Sequence, residues 1–424
     1  MRQARVTVST TIALWLMSPY GASYALDPVA TLNASDAASG FGEGFGKSVA
    51  ISGDWIAVGA PVDQRATERG AVYMFRRDGA RWVFHQKLRG FHTDWARFGR
   101  AVAMDGNRLV IGAPGERRAY LYEPDDQRTP EDLSDDFWDA VAIMHPFPSE
   151  FGSFGISVDI KDELIVIAMP STTLPPLEHQ VGRVYVFRHD GIEWLPDGRL
   201  RGDDTEADDL FASSVALSAG TVVVGAPFDD DAGEESGSVY VFRRDHGEWT
   251  QAAKLFAPNP GSPRAFGASV AGVDKVLVVT PHVFRLHVLD WLYEATLLPS
   301  NKSGVLTSGG PVAVSQGAVL IVSYLFRRTN GQWQQSNKLT ETPSGFLRSS
   351  VSLDGDYAVS GGFHIAFVHR TCDGCGTLRE FATVQNCMYA DAAQSASCSA
   401  LDFSGDGKID LADYSDFLIL LVGP

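Results

Sequence analysis

Apolar and polar positions along this chain alternate, or run apolar, over stretches of four to six residues, and the stretches are bounded by Gly, Asp and Asn. That period predicts strands joined by tight turns rather than helices. One unit recurs. Phe-Gly, a small residue before Val, an alternating strand, a two-residue turn, a second strand and Gly-Ala-Pro begin at Phe45, and the unit returns at Phe98, Phe154, Phe211 and Phe266, in steps of 53, 56, 57 and 55 residues. Worn copies follow over 309–322 and 346–361, which makes seven. Each unit continues into a third strand, such as Val72–Phe75 or Val239–Phe242. A charged turn and a Trp then open a fourth strand that ends six positions later: Trp82 to Leu88, Trp138 to Met144, Trp194 to Leu200, Trp249 to Leu255, Trp291 to Leu297 and Trp333 to Leu339. Four strands per unit at this period predict an all-β, seven-bladed propeller.

Two copies depart from the pattern. The sixth runs from Leu320 to Arg327 without a Gly-Ala-Pro loop, so a degenerate sixth blade is expected. The seventh lacks the Trp-led strand, and 29–35 (VATLNAS) precedes the first Phe-Gly as the other fourth strands precede theirs. The N-terminus is therefore expected to complete the last blade and close the ring.

These residues resemble the FG-GAP repeats of integrin α-subunit propellers and of secreted bacterial proteins, over roughly 29–370. The resemblance implies a seven-bladed propeller serving extracellular binding. Family blades often hold calcium between their first two strands. Here those connections are turns such as Ser52-Gly53-Asp54, Asp105-Gly106-Asn107 and Asp354-Gly355-Asp356, too poor in oxygen ligands for a cage of six or more.

Charge changes the picture at the level of partners. With 35 Lys+Arg against 52 Asp+Glu the net charge is −17, which speaks against nucleic acid and anionic membranes and favours cations. Arg2 and Arg5, the apolar 11–17 (TIALWLM) and the small residues of 21–25 form a secretory leader, with cleavage expected after Ala25 and no later membrane span. The domain plan is thus a leader over 1–25, the propeller over 26–370 and a tail over 371–424. All four cysteines, Cys372, Cys375, Cys387 and Cys398, lie in that tail. In an oxidising compartment they are expected as disulfides, with three pairings open and Cys372–Cys375 plus Cys387–Cys398 the most local.

The tail also carries the clearest metal chemistry. Asp402, Ser404, Asp406, Asp410 and Asp413 stand at loop positions 1, 3, 5, 9 and 12, Gly407 permits the sharp turn, and the carbonyl of Lys408 fills position 7. The expected cofactor is Ca²⁺. With the amphipathic 414–418 (YSDFL) as a following helix, this loop resembles one unit of a dockerin module, which implies a small α-helical tail and a cohesin-like partner. In the propeller itself, the acidic runs 203–209 (DDTEADD) and 229–231 (DDD) leave open calcium at a blade edge or a solvated charge run. Arg201-Gly202-Asp203 spells an adhesion tripeptide, read as coincidence in a chain so rich in Gly and Asp.

No G-x-S-x-G, H-E-x-x-H or G-x-x-x-x-G-K motif is present. Two functions remain: a secreted calcium-binding propeller that binds an extracellular protein or glycan and attaches through its tail, and a secreted polysaccharide-degrading enzyme recruited the same way. The apolar and Tyr-rich repeat positions are explained by blade packing alone, which favours the first.

Overall fold

The computed structural model describes residues 24–34, 44–61, 70–90, 96–125, 137–147, 152–170, 181–206, 208–259, 265–300, 309–340, 348–362 and 364–371. The calcium loop, the cysteines and the leader before Tyr24 lie outside the described residues.

Seven antiparallel four-stranded sheets follow one another, each running from the inside of the ring outward. The first four blades comprise Ser48–Ser52, Trp55–Ala60, Ala71–Asp78 and Arg81–Arg89; Ala101–Asp105, Arg108–Ala113, Arg118–Pro124 and Trp138–Met144; Val158–Lys161, Leu164–Met169, Arg183–His189 and Trp194–Leu200; and Ser214–Ser218, Thr221–Ala226, Ser238–Asp245 and Glu248–Leu255. Blade five is Val270–Val273, Val276–Val279, His282–His287 and Asp290–Thr296, and blade six is Val312–Ser315, Ala318–Ile321, Tyr324–Thr329 and Gln332–Leu339. Blade seven takes Arg348–Asp354, Tyr357–Gly362 and Ile365–Arg370 from the end of the ring, and its outer strand, Pro28–Leu32, from the beginning. The expected clasp is thus in place, antiparallel to the third strand, with Leu32 opposite Ala366.

The sixth blade corrects the expectation of degeneracy. It has all four strands, because the link Val322-Ser323 joins its second and third strands directly and makes a Gly-Ala-Pro loop unnecessary. It also gains a fifth strand: Tyr24–Leu26 lies parallel to Asn337–Leu339 on its outer edge.

The core is seven apolar clusters, one at each blade–blade interface. The repeat signature explains how the interfaces close. A Cβ added to Gly225, in the Gly-Ala-Pro of blade four, would lie 1.8 Å from the carbonyl oxygen of Gly267, in the Phe-Gly of blade five. Gly267 itself has φ +93°, a conformation glycine adopts without strain. The two glycines are the two halves of one backbone contact. Ser214 Oγ donates to the same Gly267 carbonyl at 2.7 Å. Gly225→Ala is expected to destabilise the protein by about 2 kcal/mol by overpacking, read from chemical denaturation.

The Trp-led strands hold a second device. Residues six apart on a regular strand share a face. Here Trp82 packs in the interface between blades seven and one while Leu88 packs between one and two. The same split recurs for Trp138 and Met144, and for Trp194 and Leu200. A β-bulge between each pair, at His85, Val141 and Asp197, inserts the extra residue that turns the face over. The bulge residue is re-aimed as well: Asp197 accepts from Trp249 Nε1 at 2.8 Å and from Arg244 Nη2 at 2.8 Å, joining blade three to blade four. Trp249 is only partly buried, so Trp249→Ala is expected to cost about 2 kcal/mol, below the range for a wholly buried ring.

Candidate functional site

The chain's acidic runs come together on blade four. One lies in 201–213, the connection from blade three; the other lies in 227–237, between the second and third strands of blade four. The first loop is braced locally. Thr205 Oγ1 donates to Gly202 O at 3.0 Å, Asp203 N to Gln251 Oε1 at 2.9 Å, and Glu206 N to Asp209 Oδ2 at 2.7 Å. Phe228 N donates to Asp209 O at 3.1 Å and so ties the second loop to the first.

At their meeting point stands Lys254, from the outer strand. Its Nζ is 2.8 Å from Asp229 Oδ2 and 3.0 Å from Asp204 Oδ2, and it pairs with Asp231. Asp229 is 2% exposed, and its Oδ2 also accepts from Ser238 Oγ at 2.9 Å. Tyr240 OH lies 2.8 Å from both Asp204 Oδ1 and Asp229 Oδ2. Burial alone would depress the Lys254 ammonium, but hydrogen bonds to Asp229, Asp231, Tyr240 and Asp204 outweigh it and hold its pKa well above the usual lysine value. Burial, with the Asp204 and Asp229 carboxylates, likewise keeps Tyr240 protonated far beyond the ordinary phenol range. For Asp204, burial opposes ionisation, yet the hydrogen bonds from Tyr240 and Lys254 prevail and lower its pKa. Asp209 is raised, by burial first and by Asp229 beside it.

Chemically, the protein's own ammonium takes the point where three carboxylates converge. Of the two readings of these acidic runs, neither anticipated that. The runs are an anionic loop surface whose deepest acids are already neutralised, and exposed aromatic rings border it: Phe228 is 44% exposed, and Phe256, 36% exposed, has Lys254 Nζ 5.6 Å from its ring centre. Such rings offer flat apolar faces for stacking beside hydrogen-bond acceptors.

Lys254 was the residue that sequence reasoning missed, and a signal for it exists. Lysine precedes the last Leu of the outer strand at Lys87, Lys254 and Lys338, and in all three blades its Nζ lies over the third-strand tyrosine, at 4.7 Å from Tyr73, 4.8 Å from Tyr240 and 5.6 Å from Tyr324. Only in blade four do long acidic loops join the pair, among the described residues.

The other predicted positions fall as follows. The short inner turns spend their carboxylates on protein partners: Asp54 pairs with Arg77, Asp105 with Lys161 at 2.6 Å, and Asp354 Oδ2 accepts from Gly53 N at 2.7 Å. Arg201 and Asp203 are exposed around a buried Gly202. Asp402, Ser404, Asp406, Lys408, Asp410 and Asp413 lie outside the described residues, as does the region proposed to bind a cohesin-like partner. No group of three or more His, Cys, Asp or Glu arranged to hold a metal occurs among the described residues, and no described helix is long and apolar enough to cross a membrane.

Comparison with known proteins agrees with this architecture. Residues 27–75 and 194–242 match the FG-GAP repeat family. No curated protein gives a significant sequence match. Among solved structures, a chain in "Crystal Structure of Mitotic Checkpoint Complex" superposes with a TM-score of 0.52 at 11% identity, covering 88% of this chain and 97% of that one, a likeness of fold alone. The computationally designed Ika8 protein gives a TM-score of 0.44 at 11% identity, with 82% and 99% covered. With its glycine-paired interfaces and its two matched repeats, the chain is a seven-bladed β-propeller that carries FG-GAP repeats at 27–75 and 194–242.

Proposed function

We propose that this propeller is an exported binding module that takes an extracellular protein or glycan on the loop surface of blade four, and that its tail, loaded with Ca²⁺, attaches it to a surface or an assembly. The observation that carries the binding reading is the pairing of exposed Phe228 and Phe256 with an acidic rim whose innermost carboxylates are tied up by Lys254 and Tyr240. Rings of this kind anchor ligands by stacking, and acceptors beside them fix orientation. Hydrolysis of a polysaccharide would need a carboxyl pair of separated function, one to protonate and one to attack or activate water. Asp204 and Asp229 instead share one ammonium and one phenol, which favours recognition over catalysis.

Export is supported by the basic, apolar and small-residue succession of the first 25 positions. Calcium is supported by the ligand spacing Asp402, Ser404, Asp406, Lys408, Asp410 and Asp413. The decisive experiment for the loop surface is a glycan array and a panel of extracellular proteins, probed with the full mature chain and with Phe228→Ala/Phe256→Ala. The double variant is expected to lose at least about tenfold in affinity, the equivalent of one anchoring ring. Unchanged binding by the variant overturns the assignment of the surface. For the tail, calorimetric titration of Ca²⁺ is expected to give binding that Asp402→Ala abolishes, and binding that survives the substitution removes the loop from the reading.

A further inference from the structure

The inner strands of the seven blades share one register, and its middle position is revealing. It holds Ala50, Ala103, Ala216, Ala271 and Ala313 in five blades, Ser352 in blade seven and Asp159 in blade three. The two polar residues do the same work. Ser352 Oγ accepts the amide of Ile51 in blade one at 3.1 Å, and Asp159 Oδ2 accepts the amide of Leu217, the register equivalent of Ile51, in blade four at 2.8 Å. Asp159 Oδ1 accepts its neighbour Ile160 N at 2.9 Å.

The interface between blades three and four depends on this link more than the four glycine-paired interfaces do. In those four the backbone contact is made by Gly59 with Gly99, Gly112 with Gly155, Gly225 with Gly267 and Gly361 with Gly46. Here both positions are alanine, Ala168 and Ala212, the latter held at φ +70°. A second fastening is altered too. Asp354, Ser52 and Asp105, each at the end of its inner strand, take the turn amides of Gly53, Gly106 and Asp162 in the next blade. The equivalent residue of blade three is Lys161, which reaches back to Asp105 at 2.6 Å. Forward contact from the inner strand of blade three rests on Asp159 and on Ser157, whose Oγ accepts Val215 N at 3.3 Å.

We propose that Asp159 makes the seam between blades three and four proton-sensitive, fastened more firmly in mild acid and the first to loosen at neutral pH and above, while the Ser352 seam does not respond. Burial pushes the Asp159 carboxyl up to about 6; the amides of Leu217 and Ile160 oppose the shift, Asp105 adds to it and Lys161 opposes it. The inner strand of blade four (SVALS) and the second strand of blade three (LIVIAM) bring no titratable group to it. A carboxyl whose pKa is higher in the folded state binds its proton more tightly there. Its contribution is therefore most favourable below about pH 4 and is lost as pH rises through about 6. A protonated carboxyl keeps a carbonyl oxygen for the Leu217 amide, so the link survives while the cost of a half-buried charge disappears.

Hydrogen exchange of the full chain between pH 5 and 8, corrected for intrinsic rates, tests this with an internal control. Protection over 211–226 is expected to fall by about tenfold as pH rises from 5 and to level off above about 6, and 45–60, which carries the Ser352 seam, is expected to stay level. Asp159→Asn and Asp159→Ser, the latter copying the seam of blade seven, are expected to remove the pH dependence. A level wild-type profile over 211–226, an equal fall at both seams, or the same fall in Asp159→Asn each overturns the proposal. The wild-type comparison of the two segments decides even if a variant does not fold.

Discussion

A chain that begins at Asn33 is expected to melt about 10 °C below one that begins at Leu26, the first residue after the expected leader, and to lose protection in blades six and seven together. The missing segment does three things at once. Pro28–Leu32 is the outer strand of blade seven, and without it Ile365–Arg370, with Phe367 3% exposed and His369 fully buried, becomes a bare sheet edge. Leu32, 3% exposed, leaves the apolar cluster that joins blade seven to blade one. Leu26 and Asp27 are lost from the edge of blade six, where Leu26 O accepts Thr340 N at 2.9 Å and Asp27 Oδ1 accepts Thr340 Oγ1 at 2.7 Å. One buried Leu and several ladder hydrogen bonds sum to roughly 5 kcal/mol, or about 10 °C for a large domain. The effect is global because the clasp joins the two ends of a closed ring. Differential scanning calorimetry of the two chains measures it, and melting temperatures within about 2 °C of each other would show that the ring closes without its clasp.

The clasp was legible because a missing fourth strand at one end and a surplus strand at the other are both sequence facts. So was the propeller, since turns and alternation are local. What sequence could not show was the direction of side chains across an irregularity. Trp82 and Leu88 stand six apart, and a regular strand would place them on one face; the bulge at His85 sends them into different interfaces. The sixth blade was misjudged for a related reason. Its missing Gly-Ala-Pro looked like a damaged repeat, whereas a two-residue link does the same topological work with fewer residues. The blade-four surface was half legible. The acidic runs are plain, but the cation that organises them is 50 residues away from Asp204 in sequence and arrives only through the pairing of strands three and four.

Lys254→Met tests that organisation, with an expected loss of about 3–5 kcal/mol, the range for breaking a buried ion pair by removing one partner. The methionine keeps most of the volume and removes the charge, so Asp229, 2% exposed, is left facing Asp204 and Asp231 with no cation between them. Two further measurements separate this cause from lost packing. First, added Ca²⁺ is expected to restore part of the stability in the variant, because three converging carboxylates then offer oxygen ligands to a divalent ion; with Lys254 in place, that position is filled. Second, Lys254→Met/Asp229→Asn is expected to be more stable than the single variant, since the amide removes the uncompensated charge while keeping an acceptor for Ser238 Oγ. Tyr240 makes this cycle informative: its hydroxyl still has Asp204 Oδ1 as a partner after Asp229 is changed, so the comparison reports on charge rather than on a newly orphaned phenol. If the two substitutions add, or if Ca²⁺ leaves the single variant unmoved, Lys254 is a packing residue that merely lies near acids, and the exposed carboxylates around Phe228 and Phe256 would owe it nothing.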